Sequence, residues 1–206
     1  MTPRVVIVDY GLGNLRSVAG AVEKLGFEAH VTASAGDILA AERLILPGVG
    51  AFGDGMRQLH ERGLAEPLTR RVIDEGVPIL GICLGAQLMA RESEEFGHHS
   101  GLGWLPASVK RIVPPADSVR IPHVGWNALR QRRPDLLFAK IPEDALFYYV
   151  HSYHICCDDP AAVTGTCDYA GTLTATFQRG NVWGTQFHPE KSQRHGLQLL
   201  ANFVRA

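Results

Sequence analysis

Cysteine is scarce here: the 206 residues hold four, at positions 83, 156, 157 and 167. That number and spacing do not make a disulfide scaffold at this length. Cys156 and Cys157 are adjacent, so on a strand they point to opposite faces and cannot ligate one metal together. His98-His99 and His151-x-x-His154 also lack a metal-ligand spacing, and no metal or cofactor is expected. Neither sign of charge is in excess. Twenty basic and 21 acidic residues leave a net charge of −1, too little to gather nucleic acid or an anionic membrane. The densest basic group, Arg130-Gln-Arg-Arg133, reads as a solvated loop face open to a partner contact. No apolar run approaches membrane-spanning length. The N-terminus enters a strand by Arg4, which leaves no room for a signal peptide, so a cytoplasmic location is expected. A dinucleotide loop is missing as well: Gly11-Leu-Gly13 has Arg16 where the third glycine belongs, and Glu28 or His30 makes a poor ribose acid. Repeats, low-complexity stretches and long linkers are absent, so residues 1–206 read as one domain.

What is present is an alternation of strands and helices. Short apolar strands are predicted at 5–9, 29–32 and 43–46. Between the first two, residues 17–25 place Val18, Ala21, Val22 and Leu25 on one helical face, and Gly26 closes the helix. A helical region over 55–75, broken near Gly63 and Pro67, leads to a β-branched strand at 77–82 and a helix at 84–91. Such alternation implies an α/β fold: an open, mostly parallel sheet flanked by helices. Beyond Gly101 the texture changes to short strands at 108–113, 145–151, 162–167, 173–178 and 182–187, with a hairpin around Arg179-Gly180-Asn181. This half adds an antiparallel strand region, and a helix at 193–204 closes the chain.

Candidate chemistry gathers just past the predicted strand ends, where open α/β sheets place their reactive crevice. In Gly81-Ile-Cys-Leu-Gly85 small residues flank Cys83 at a strand-to-helix junction, the pattern of a nucleophile elbow. The following helix would direct its amide end at the sulfur, a polarity that suits a thiolate. A buried core cysteine is the competing reading. Downstream, Phe187-His-Pro-Glu-Lys191 follows a strand, and Pro189 biases His188 to an extended conformation. His188 and Glu190 should then leave the chain on the same side, as a base with its orienting carboxylate. A surface histidine followed by a first-turn acid is the alternative. Leu44-Ile-Leu-Pro-Gly-Val-Gly50 is a strand running into a glycine-rich turn, and the amides of Val49 and Leu84 are the expected oxyanion donors.

Pro47-Gly-Val-Gly50, Gly81-Ile-Cys-Leu-Gly-Ala-Gln87 and Phe187-His-Pro-Glu-Lys191 together resemble the signature blocks of the class I glutamine amidotransferases. Asp9-Tyr-Gly-Leu-Gly-Asn-Leu-Arg16, Pro122-His-Val-Gly-Trp-Asn127 and Tyr148-Tyr-Val-His-Ser-Tyr153 narrow the resemblance to the glutaminase subunits of imidazole glycerol phosphate synthases. Ala86, where this family usually has methionine, and His154, where another aromatic is frequent, depart from the pattern without touching the chemistry.

The expected reaction is hydrolysis of L-glutamine to glutamate and ammonia by Cys83, His188 and Glu190. Gln87, one helical turn after the nucleophile, and Gly50 of the glycine-rich turn are expected to contact the substrate; the resemblance adds Glu95, Ser152 and Tyr153. It also implies a heterodimer with a cyclase subunit that takes the ammonia to make imidazole glycerol phosphate and aminoimidazole-carboxamide ribotide. Asn14, Trp126, Asn127, Tyr148 and Lys191 are the residues expected to face that partner. Two other readings compete: a glutaminase serving a different synthase, and a binding module whose catalytic groups are unused. The block from Pro122 to Asn127 speaks against the first, and an intact Cys83, His188 and Glu190 set against the second.

Overall fold

The computed structural model describes residues 4–115 and 119–206. In chain order, the first half runs β1 (Arg4–Val8), α1 (Leu15–Lys24), β2 (Glu28–Thr32), α2 (Ala35–Leu39), β3 (Arg43–Leu46), α3 (Phe52–Glu61), α4 (Ala65–Thr69), β4 (Ile79–Ile82) and α5 (Leu84–Leu88). The second half is mostly extended: β5 (Ala90–Ser93), β6 (His99–Ser100), β7 (Leu105–Arg111), β8 (His123–Ala128), β9 (Arg130–Gln131), β10 (Leu146–His151) and β11 (Tyr153–Cys157). It ends with β12 (Val163–Asp168), β13 (Thr172–Arg179), β14 (Val182–Thr185) and α6 (Gln193–Arg205).

The main sheet has the order β2-β1-β3-β4-β14-β13-β12-β9. From β2 to β14 neighbouring strands are parallel, and β13, β12 and β9 continue the sheet antiparallel. Successive side chains on the parallel strands feed two separate cores, because a strand alternates its faces. Val6, Val8, Leu44, Leu46 and Ile79 pack with Ile38 of α2 and with Phe52, Met56 and Leu59 of α3. Val5, Ile7, Ile45, Leu80 and Ile82 pack on the other side with Val18 and Val22 of α1 and with Leu200 and Phe203 of α6. Beside this sheet lie a four-stranded sheet, β11-β7-β5-β6, and an antiparallel ribbon of β8 and β10.

Most expected elements are present within a residue or two, including the two-residue turn at Gly180-Asn181 between β13 and β14. Gly26, at φ +82°, closes α1, its N–H donating to the Glu23 carbonyl. Three differences have physical causes. The helix expected at 84–91 stops at Leu88, because the next residues pair with β7 as strand β5. Gly63, at φ +65°, breaks the long helical region, whereas Pro67 does not. It sits in the first turn of α4, where its missing N–H has no intrahelical duty. Last, the residues 123–128 and 153–157, for which no strand was expected, form β8 and β11.

Candidate active site

Three chain crossings meet at the carboxyl ends of β3, β4 and β14. The first is the elbow at Cys83, which has φ +53° and ψ −111°. A non-glycine residue held there stores on the order of 1–3 kcal/mol of strain. The surroundings enforce it. The Cys83 N–H donates to the Thr185 carbonyl at 2.8 Å, and the Cys83 carbonyl accepts from the amides of Ala86 and Gln87. The glycines are a packing requirement. A Cβ on Gly85 would overlap the Leu46 carbonyl, and one on Gly81 would lie 2.6 Å from the Ala86 Cα. Ala86 itself is fully buried, its Cβ 3.0 Å from where a side chain on Gly184 would begin. The turn from β4 into α5 thus rests on small residues from three segments.

The second crossing delivers His188 just after β14. Its Nδ1 donates to Glu190 Oε1 at 2.8 Å, with both side chains almost fully buried. The ring is anchored at its backbone too: the His188 N–H donates to the Tyr148 carbonyl, and the Ser192 hydroxyl donates to the His188 carbonyl at 2.6 Å. That hydroxyl also accepts from the Tyr148 N–H at 3.0 Å, tying β10 to the His188 turn. His188 Nε2 is buried and bonded to no nitrogen or oxygen among the described residues, which leaves it to the Cys83 thiol. Burial pulls the imidazole pKa down, but Cys83 and Glu190 together outweigh burial and raise it to about 9.

The third crossing is the turn after β3. Gly48 faces the buried Tyr10 hydroxyl, which has no hydrogen-bond partner, and a Cβ there would also come within 2.8 Å of the Gly85 amide nitrogen. Burial, then proximity to Cys83, holds the Tyr10 phenol neutral and far above the ordinary tyrosine pKa. Gly50 adopts φ +105°, and Val49 is partly exposed.

These crossings line one cavity of about 270 Å³, together with Gln87, Glu95, Val150, His151, Ser152 and Tyr153. Its size lies just below the ~300–1,000 Å³ of most ligand pockets and suits an amino acid. Cys83, His188, Val49, Leu84 and all five expected substrate contacts stand in this one wall. Glu190 lies behind His188. Gln87 Nε2 donates to the Tyr153 carbonyl at 3.0 Å and to Gln186 Oε1 at 3.2 Å. Glu95 Oε2 accepts from the Phe52 N–H at 2.7 Å at the start of α3, and burial raises its pKa against the pull of that bond.

Sequence reasoning passed over Gln186, whose Nε2 donates weakly to Cys83 Sγ at 3.9 Å. It also missed the buried pair His123 and His151, joined at 3.0 Å. A buried glutamine at the strand end before His188 was the one available signal.

Of the residues expected to face a partner, Trp126 and Tyr148 stand opposite one another on β8 and β10 in edge-on contact, with the Lys191 ammonium 5.9 Å from the Tyr148 ring. Asn14 precedes α1 and makes no side-chain cap. Asn127 departs from expectation. One residue after Trp126, its side chain turns inward, donating to the Asp168 carbonyl and His123 Nε2 while accepting from the Ala128 N–H.

The model of the glutamine amidotransferase class-I family matches residues 6–206. The chain belongs to the class I glutamine amidotransferases. Within that family it is 50% identical over 199 residues to the imidazole glycerol phosphate synthase subunit HisH of Moorella thermoacetica, covering 97% of this chain and 93% of the relative. It is 46% identical to the HisH subunit of Geobacter sulfurreducens, covering 97% of each chain. Among solved structures, PurLQS from Thermotoga maritima superposes with a TM-score of 0.76 at 21% identity, over 100% of this chain and 99% of that one. At that identity the likeness speaks for the amidotransferase fold alone.

Proposed function

We propose that this chain is the glutaminase subunit of an imidazole glycerol phosphate synthase, hydrolysing L-glutamine and passing the ammonia to a cyclase subunit in histidine biosynthesis. The observation that carries the chemistry is the meeting in one small cavity of a strained, buried cysteine and a histidine locked to a carboxylate at 2.8 Å. The near-full-length similarity to HisH subunits supports the choice of synthase.

In this reading the Cys83 thiolate attacks the side-chain amide carbon of glutamine. The amides of Val49 and Leu84 hold the tetrahedral oxyanion. His188, kept protonated at neutral pH by its neighbours, gives its Nε2 proton to the departing nitrogen as ammonia leaves. A water deprotonated by His188 then attacks the γ-glutamyl thioester and frees glutamate, returning sulfur and imidazole to their starting states. Glu190 accepts from Nδ1 throughout and keeps Nε2 aimed at the reacting atoms. Gly50, Gln87, Glu95, Ser152 and Tyr153 bind the amino-acid end. The carbonyls of Ser152 and Tyr153 are already engaged, by the Ile112 N–H and by Gln87. The segment therefore offers a substrate its donors, which suit a carboxylate, while the Glu95 carboxylate suits the ammonium.

Free ammonia is nucleophilic and ammonium is not, so delivery through a contact closed to water is chemically favoured. The outer face of the β8–β10 ribbon is where we place the cyclase, with Trp126, Tyr148, Lys191 and Asn14 toward it. The test is labelling by a glutamine-like electrophile. One equivalent should be incorporated at Cys83, and Cys83→Ala should remove both labelling and glutaminase activity measured with the cyclase present. Labelling at another residue, or turnover by the Cys83→Ala variant, would overturn the reading.

A further inference from the structure

His151 of β10, in the cavity wall, and His123 of β8, behind it, are register partners in the ribbon, and both are buried. Their hydrogen bonds form a single directed chain. His151 Nδ1 lies 2.9 Å from the Tyr153 carbonyl, which only accepts, so this nitrogen carries the proton. His151 Nε2 then has to accept, and its partner at 3.0 Å is His123 Nδ1, which therefore donates. His123 Nε2 accepts in turn from Asn127 Nδ2 at 3.3 Å. The Asn127 amide cannot be reversed, since its Oδ1 accepts from the Ala128 N–H at 2.8 Å. Every ring nitrogen has one assigned role, and the two imidazoles share one tautomer. His123 is clamped as well, stacked on Tyr149 and Tyr169 with ring centroids at 4.7 and 3.8 Å.

We infer that His123 and His151 are a neutral positioning pair that fixes the Ser152-Tyr153 segment of the glutamine site through the Tyr153 carbonyl. This rests on the proposed role of that segment in binding glutamine. The Tyr153 carbonyl takes His151 on one side and Gln87 Nε2 on the other, so both of its lone pairs are filled and its direction is set. Protonating either ring would set two donors against each other at the 3.0 Å contact. Burial already holds both rings neutral, His123 with a pKa lowered to about 4 and His151 to about 3. The groups facing the pair are Tyr149 and Tyr169 on His123, and His154 and His188 on the His151 side.

The first test needs no variant. Long-range proton–nitrogen NMR of the whole chain, with the cyclase bound, should show both rings as neutral Nδ1–H tautomers at pH 7. An Nε2–H tautomer or an imidazolium at either ring overturns the pair. Variants supply the functional arm. Asparagine places its amide nitrogen near Nδ1, and glutamine places its near Nε2, so His151→Asn keeps the bond to Tyr153 and His151→Gln loses it. His151→Gln should raise KM for glutamine by roughly tenfold, the loss of one buried hydrogen bond, with kcat within about threefold. His151→Asn should restore KM to within about threefold. Equal KM values for the two variants, or a fall in kcat alone, would sink the positioning role. Cys83→Ala in parallel separates the readings: if it still turns over glutamine, the site assignment fails first.

Discussion

At the scale of single residues, the site is a set of groups whose charge states depend on each other. His188 gives the sharpest case, because its pKa rises from the ordinary 6.5 to about 9 in the fold. A group whose folded pKa is raised binds its proton more tightly in the native state, so it stabilises the fold when protonated. The contribution is complete below about pH 6.5 and is lost as pH climbs through about 9. Urea unfolding of wild type and His188→Asn between pH 6 and 10 should show their stability difference shrinking as pH rises; a difference that grows would contradict the raised pKa. Glu190→Gln tests orientation apart from packing. The amide fills the same volume but can present its NH2 to Nδ1, which favours the wrong ring tautomer. We expect kcat to fall by about 10²-fold or more while KM for glutamine stays near the wild-type value. Cys83, His188 and Glu190 were legible as candidates because each lies in a short contiguous block whose spacing has a chemical reason. Gln186 and His123 were not. Their roles depend on partners about a hundred and 28 positions away respectively, a distance only the folded sheet closes.

At the scale of elements, the elbow depends on close backbone approach more than on any one hydrogen bond. Gly85 shows this, since a methyl group there would occupy the space of the Leu46 carbonyl. Backbone cannot move aside as the end of a flexible side chain can. Gly85→Ala should cost at least the upper part of the ~1–3 kcal/mol typical of overpacking, read as a lower urea midpoint with unchanged m-value. It should also remove activity by dislodging Cys83. Sequence pattern located this junction correctly but ran its helix on to 91. Met89 to Arg91 are good helix formers, but Met89 caps the helix and pairing with Leu105 carries Ala90 and Arg91 into β5. β1, β3 and β4 were legible for the opposite reason: buried on both faces, they read as near-continuous apolar runs. β8 and β11 carry glycine, histidine and cysteine in no regular alternation, and their strand character comes from their neighbours in the ribbon and the smaller sheet.

At the scale of the whole molecule, the cavity mouth opens beside an apolar face that the described residues leave uncovered. Val124 pairs with Val150 and Trp126 with Tyr148 across the ribbon, and Val124, Trp126 and Val150 are all exposed. Val150 and the exposed Val49 also line the candidate cavity, so the face is continuous with it. Phe96, 85% exposed, lies near the cavity's Tyr153 with ring centroids 6.4 Å apart. A partner seated on the ribbon would cover apolar surface and shield the site from water in one step. Trp126 is the natural anchor. It is 46% exposed, meets Tyr148 edge-on, and contributes to neither core. Removing it should therefore leave the fold intact and weaken association. Trp126→Ala is expected to unfold within about 1 kcal/mol of wild type, as surface changes do. Its Kd for the cyclase subunit should rise by about 30-fold or more, the ~2 kcal/mol expected when a central aromatic anchor is truncated. Calorimetric titration against the cyclase, beside urea melts of the chain alone, reads both quantities. An unchanged Kd would move the partner off this ribbon. A large loss of stability would show Trp126 to be packing for its own chain. The same variant should leave electrophile labelling of Cys83 intact in the isolated chain, because the cysteine, histidine and carboxylate are held by β4, β14 and the Ser192 turn rather than by the ribbon's outer face.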